Sequence, residues 1–250
     1  MTDLDPIKAR IAEKRNRLDA QRPLSQKALA SLEAWYDVEL THTSNAIEGN
    51  TLTRQETALV LEKGLTVRGK PLKDHQEAVD HRDALRFVRG LVTDTRPIGE
   101  ADMRDIHRLV VASTLKGEAG QYSRHPRRIA GSRVVFPTPE TIPGLMGDFG
   151  QWLAGAPATA ETAIEAHLRL VSIHPFSDGN GRTARLLMNL VFMRGGYPPV
   201  VIRPEDRPDY VDALEAAQNE TRAAYDRLMF ERLEAALDDY LSFLASEPTP

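Results

Sequence analysis

Apolar residues recur at helical spacing along nearly all of this 250-residue chain, and that one periodicity points to packed helices. Residues 7–20 are charged, with a sparse stripe of Ile7, Ile11 and Leu18, and Pro23 breaks the pattern. Residues 24–43 carry Leu29, Leu32, Trp35, Tyr36 and Leu40 at helical positions. Thr53-Arg54-Gln55-Glu56 has the form of a capping box, so a third helix opens there and continues through Leu59, Val60 and Leu61. Residues 74–92 and 101–115 are amphipathic, the second through Met103, Ile106, Leu109 and Val110. Further helices are expected over 143–154, 160–173, 183–194, 208–217 and 223–244. Only between 117 and 143 do glycines, prolines and β-branched residues dominate. Within that stretch, residues 127–136 read as a short hairpin turning at Gly131 and Ser132. The expected architecture is all-α with one hairpin: a single domain preceded by an N-terminal helical arm.

Composition excludes several classes of function. The net charge is -4, so no overall basic field draws the chain to nucleic acid. With no cysteine there is no disulfide, thiolate metal site or cysteine nucleophile, which fits a reducing compartment. Seven histidines include no HExxH pair, so zinc hydrolysis lacks its ligands. The first 21 residues are charged throughout and have no apolar signal-peptide core. No run approaches the roughly 18 apolar residues of a membrane span. The expectation is a soluble cytoplasmic protein without nucleic-acid or membrane partners.

The stretch HPFSDGNGRTAR, from His174 to Arg185, carries the chemistry. Gly179, Asn180 and Gly181 precede an apolar helix. Glycines let backbone N–H groups converge, and a helix N-terminus adds unpaired donors and partial positive charge, so together they can cradle phosphate. Arg182 and Arg185 stand at i and i+3 on one face, which suits a polyphosphate. Asp178 beside such a cradle is a candidate ligand for Mg²⁺. His174, with an imidazole that titrates near neutrality, is a candidate general base. Pro175 restricts the backbone of His174, and Phe176 is expected to turn into the core. Taken singly, each element has an ordinary reading: a structural histidine, an Asp-Gly turn, a solvated pair of arginines. Their joint occurrence in this order gives the stretch its weight.

HPFSDGNGR matches, without substitution, the signature of the Fic family, HPFx(D/E)GN(G/K)R. The resemblance extends to GSRVVFPTP as the family's flap hairpin, IPGLMGDFGQWL as the helix after it, and AHLRLVSI and RTARLLMNLVF as the helices around the motif. It covers residues 100–245 well, and residues 20–95 resemble the helical region that often precedes the core. The expected division is therefore an N-terminal helical region over 1–95 and a catalytic core over 96–250. The resemblance implies a protein adenylyltransferase that moves AMP from ATP to a Ser, Thr or Tyr hydroxyl of a target protein. It implies His174 as base, Asp178 as the Mg²⁺ ligand and Gly179 to Gly181 as the anion hole. Asn180 would help position the α-phosphate, Arg182 would bind phosphate, and Arg185 would reach the γ-phosphate. The target would dock by β-augmentation on the flap between Ile129 and Phe136. Tyr210, in RPDYVDALEAA, matches an aromatic that often lines the nucleobase, and a plain core role is its alternative. Val211 and the run Asn219-Glu220-Thr221 depart from the family pattern there.

A second motif lies upstream, at Ser44-Asn45-Ala46-Ile47-Glu48-Gly49-Asn50. Ser44 and Glu48 are one helical turn apart and Gly49 suits a helix end. The segment resembles the family's inhibitory motif, (S/T)xxxE(G/N), placed in cis before the core. Glu48 would pair with Arg185 in the place of the γ-phosphate. Other readings remain open: removal of AMP by the same site, transfer of another nucleotide such as UMP, or a toxin or regulator acting by binding. For the last, the chain ends soon after its final helix, with little room for an added DNA-binding domain. A homodimer is compatible with the resemblance.

Overall fold

The computed structural model describes residues 4–128, 133–219 and 221–246. It contains ten α-helices among those residues: α1 (Asp5–Asp19), α2 (Gln26–Ile47), α3 (Arg54–Lys63), α4 (Leu72–Thr93), α5 (Glu100–Val110), α6 (Ile142–Gly155), α7 (Ala160–Ile173), α8 (Asn180–Arg194), α9 (Arg207–Asn219) and α10 (Ala223–Ser246). A short 3₁₀ turn, Pro204–Asp206, leads into α9. No helix among the described residues is long and apolar enough to cross a membrane.

Local chemistry accounts for several boundaries. The capping box at α3 forms as the sequence suggests: Thr53 Oγ1 accepts from the Glu56 N–H and the Glu56 carboxylate accepts from the Thr53 N–H. Gly64, with φ at +64°, closes the same helix in the left-handed region. Ser25 caps α2 and Thr159 caps α7 by the same side-chain acceptance. Other boundaries differ from expectation, and α5 stops at Val110, short of the expected 115. Helix α2 runs past the 24–43 stripe to Ile47 and ends at Glu48, as the spacing of Ser44, Glu48 and Gly49 suggests, so Ser44 lies inside it. Helix α8 starts at Asn180, so the cradle residues are themselves its first turn.

Helix α8 is the axis of the molecule. From Arg182 to Phe192 every residue is buried, the signature of a helix enclosed on all sides. It packs most extensively on α7, and also on α4 and α5, while α10 lies along both α1 and α9. One continuous apolar core reaches from Ile7 through Leu85, Ile106, Leu170 and Leu187 to Leu241. It joins the N-terminal helices to the later ones.

The expected hairpin lies in part outside the described residues, since its turn and Ile129 are not among them. The described limbs, 127–128 and 133–136, form no strand. Residues 133–136 alternate all the same: Val134 and Phe136 are buried while Arg133 and Val135 are exposed.

The chain leaving α8 is held at Gly195 and Gly196 by Arg15 and Arg22, and further on by a buried side chain. Asn189, fully buried, donates from Nδ2 to the Val200 carbonyl and accepts at Oδ1 from the Val200 N–H. Asn189→Leu keeps the volume and leaves two buried backbone groups unpaired, at about 1–3 kcal/mol each. Chemical denaturation should show a loss of about 2–5 kcal/mol.

Candidate active site

The turn from α7 to α8 is closed by Asn180. Its Oδ1 accepts from the Phe176 N–H and its Nδ2 donates to the Phe176 carbonyl, each at 2.9 Å. The Asn180 side chain is thus committed to the loop, and what Asn180 offers an anion is its backbone. Phe176 is fully buried and stacks on His107, with ring centroids 3.6 Å apart.

His107 was not singled out from sequence. Its Nδ1 accepts from the Gly120 N–H, so the proton is on Nε2, which donates to the Asp178 carbonyl at 3.0 Å. Burial depresses its pKa to about 4, so the ring is neutral. Gly179 has φ at +77°, and a Cβ there would lie 2.8 Å from the Val111 side chain, which is why a glycine stands at this turn.

His174 follows directly from α7 at φ +50°, the one non-glycine with positive φ among the described residues. Its Nδ1 lies 3.4 Å from the Val171 carbonyl, and Phe136 stacks against the ring at 4.2 Å. With the proton on Nδ1 directed at that carbonyl, the lone pair is on Nε2. Burial lowers the pKa below the ordinary value of 6.5, and Arg127 acts in the same direction. The Val171 carbonyl, Glu48 and Asp178 oppose the shift.

A cavity of about 340 Å³ opens in front of these groups. His174, Asp178, Gly179, Asn180, Gly181, Arg185 and Tyr210 all line it, together with Glu48. Most of the predicted residues are therefore brought to one place. The two arginines part company, however. Arg185 faces the cavity, whereas Arg182, 1% exposed, lies behind it between Glu77 at 3.3 Å and Asp178 at 3.6 Å. Glu77, on α4, also accepts from Asn50 Nδ2. Nothing in the sequence pattern marked that carboxylate.

The buried Arg185 guanidinium is held from α2. Its Nε donates to Ser44 Oγ, and its Nη2 to the Ser44 carbonyl and to Glu48 Oε1 at 2.7 Å. Gly49, at φ +95°, ends that helix. The Glu48 carboxylate reaches over the first turn of α8, where a Cβ on Gly181 would collide with its Oε1. A side-chain anion therefore sits on a helix N-terminus, beside a buried guanidinium.

Tyr210 is buried and its hydroxyl bonds to His167 Nε2 at 2.8 Å. His167 Nδ1 meets the Tyr225 hydroxyl at 2.8 Å, and Tyr225 donates to the Ile164 carbonyl. Because Tyr225 donates there, His167 carries its proton on Nδ1, and the Tyr210 hydroxyl donates to Nε2. The Tyr210 oxygen keeps its lone pairs toward Arg185, with which it interacts. The only signal for this relay in the sequence was a histidine inside an apolar helix.

A model of the Fic/DOC family matches residues 97–192. The chain is 37% identical over 238 residues to "Protein adenylyltransferase Fic" of Nematostella vectensis, an alignment spanning 93% of this chain and 55% of the relative. It is 36% identical over 230 residues to the protein of the same name from Aedes aegypti, spanning 89% and 46%. The chain thus spans about half the length of these curated relatives. Among solved structures, a Fic-domain signalling protein from Bacteroides thetaiotaomicron superposes with a TM-score of 0.88 at 27% identity, covering 96% of this chain and 98% of that one. Fic-1 (residues 134–508) of C. elegans gives 0.85 at 30% identity, covering 96% and 73%.

The contact of Glu48 with Gly181 can be tested without assaying activity. Gly181→Ala improves helix propensity by about 1 kcal/mol but collides with the Glu48 carboxylate. It should lower the melting temperature of wild type by more than that of a Glu48→Gly background, where only the Arg185 contact at 3.0 Å remains, a difference read by thermal denaturation.

Proposed function

Because the chain belongs to the Fic/DOC family, we propose that this cavity binds ATP and transfers AMP to a Ser, Thr or Tyr hydroxyl of a target protein, releasing pyrophosphate. The observation that carries the reading is convergence. A neutral histidine with its Nε2 lone pair free, a helix N-terminus and a buried guanidinium all face one cavity.

In this reading His174 Nε2 takes the proton from the target hydroxyl as its oxygen attacks the α-phosphorus. The new bond is oxygen to α-phosphorus. The bond that breaks joins the α-phosphorus to the oxygen bridging to the β-phosphate, and pyrophosphate leaves with that electron pair. The backbone N–H groups of the first turn of α8 hold the phosphate oxygens, and Gly181 allows a close approach. Arg185 takes the terminal phosphate, and Arg182 adds positive charge from behind the loop. Asp178 fits Mg²⁺: its carboxylate is half-exposed, lines the cavity and supplies the one protein oxygen donor that a largely hydrated Mg²⁺ needs. The ion would neutralise phosphate charge there. Tyr210, Val211 and Leu214 wall the apolar side of the cavity, where the nucleobase belongs. Val134 and Phe136 line the cavity, which supports docking of a target segment on the flap around Ile129 to Phe136.

Glu48 makes the site self-inhibited in cis. Its carboxylate holds the donors that a terminal phosphate needs, so productive binding requires its displacement. Removal of AMP, with Glu48 activating water, would use the same groups and is the second reading, because Glu48 lines the same cavity as His174. Glu48 is 37% exposed on its side chain, which screens its pairing with Arg185.

Two outcomes are expected. With α-³²P-ATP and Mg²⁺ in a cell lysate, Glu48→Gly should label proteins about 100-fold more than wild type, corresponding to about 2.7 kcal/mol. Adding His174→Ala should abolish the label. Equal labelling by wild type and Glu48→Gly would remove the inhibitory role. The pH profile of Glu48→Gly gives a second check. A base needs the neutral ring, and burial lowers the His174 pKa, so neutral His174 persists below the usual histidine range. The acid limb of kcat/KM should therefore fall at a pH lower than 6.5.

A further inference from the structure

The sequence between Glu118 and Glu140 carries four arginines and a histidine (Arg124, His125, Arg127, Arg128 and Arg133) and no acidic residue, in a chain whose net charge is -4. The second limb of this basic segment reaches the cavity, which Val134 and Phe136 line. The first limb of this segment is pinned to the motif, because the Ser123 N–H donates to the Pro175 carbonyl at 2.8 Å. Ser123 Oγ in turn accepts from Arg127 Nε, and Arg127 lies close enough to His174 to depress its pKa. The second limb is docked on α9 through the Arg133 N–H, which donates to Glu215.

Arginines elsewhere in the fold are mostly neutralised. Arg54 pairs with Glu39, Arg89 with Asp37, Arg96 with Asp102, and Arg222 with both Glu165 and Asp226. Arg124, Arg128 and Arg133 are exposed and have no ion-pair partner among the described residues. Between them Val135 is 73% exposed, while its neighbours Val134 and Phe136 turn inward beside His174. Unpaired guanidiniums on two limbs, one tied to the His174 loop and the other to α9, are complementary to carboxylates on either side of an incoming hydroxyl.

We propose that the target segment is acidic: the Ser, Thr or Tyr that reaches His174 is flanked by Asp or Glu side chains, held by Arg124, Arg127, Arg128 and Arg133. This rests on the adenylyltransferase reading for its chemistry, but docking is measurable without chemistry. Nucleic acid is the less suitable partner, because the patch is a narrow rim on an acidic molecule.

The test is fluorescence anisotropy on the full chain carrying Glu48→Gly. The probes are a short fluorescein-labelled peptide with one threonine flanked by glutamates, and a twin with glutamines instead. Exposed pairs are individually weak and partly additive, so the acidic peptide should bind about tenfold more tightly. That advantage should shrink as salt rises from ~50 to ~300 mM, where the Debye length falls below ~10 Å. Arg124→Glu with Arg128→Glu should reverse the preference toward a lysine-flanked twin and leave the affinity for ATP unchanged. Equal binding of the two peptides would overturn the proposal. So would a loss of ATP affinity in the charge-reversed variant, or tighter binding of a single-stranded oligonucleotide than of the acidic peptide. Transfer of ³²P to the bound peptide is scored separately: peptide preference without transfer would count against the enzymatic reading and leave the acidic docking surface standing.

Discussion

The fold depends on one tight closure, the pair of hydrogen bonds from the Asn180 side chain to the backbone of Phe176. It turns the chain from α7 into α8 within a few residues and satisfies backbone groups that burial would otherwise leave unpaired. Three consequences follow. His174 is left in a left-handed conformation at the end of α7, facing across the turn. The N-terminus of α8 is bare of any capping side chain, so its N–H groups stay available. Arg182 and Arg185 are carried inward on a helix enclosed on all sides. A reactive site and the centre of the core are thus built from the same residues.

A buried guanidinium is costly without partners, and under the proposed function two sets of partners compete for Arg185. One set, Ser44 and Glu48, comes from α2 and lies well over a hundred residues away in sequence. The other is the phosphate of a nucleotide, with the lone pairs of Tyr210 available on the far side. The charge requirement is the same in both cases. An anion belongs at the head of α8, and the chain supplies its own. In the proposed reading this equivalence makes inhibition in cis physically simple: a carboxylate on a helix end occupies the seat that the helix N-terminus and the arginine create.

Periodicity made ten helices legible, with the boundaries of α3 and α7 readable from Thr53 and Ala160, because caps and apolar spacing are local signals. The grouping of His174, Asp178, the cradle glycines and Arg185 was legible for the same reason, since they lie within twelve residues. Arg182 was misleading. Its i,i+3 relation to Arg185 suggested a shared face, but with α8 enclosed on all sides the two side chains find different neighbours, Glu77 and Glu48. The supporting histidines were invisible. His107 and His167 look like any polar residue in an amphipathic helix, and their value comes from carbonyls and hydroxyls brought to them from elsewhere.

By itself, the amino-acid sequence determined the helical class, the loop chemistry around His174 and the presence of an acidic helix end at Glu48, because each is encoded by residues near one another in the chain. Only the tertiary structure decided that Glu48 meets Arg185, that Arg182 turns to Glu77, that Tyr210 belongs to a buried relay with His167 and Tyr225, and that Val134 and Phe136 turn inward to line the cavity. Those are distances between segments far apart in sequence. They are set by how the apolar faces of α2, α4, α7, α8 and α9 pack around one core, which no local pattern records.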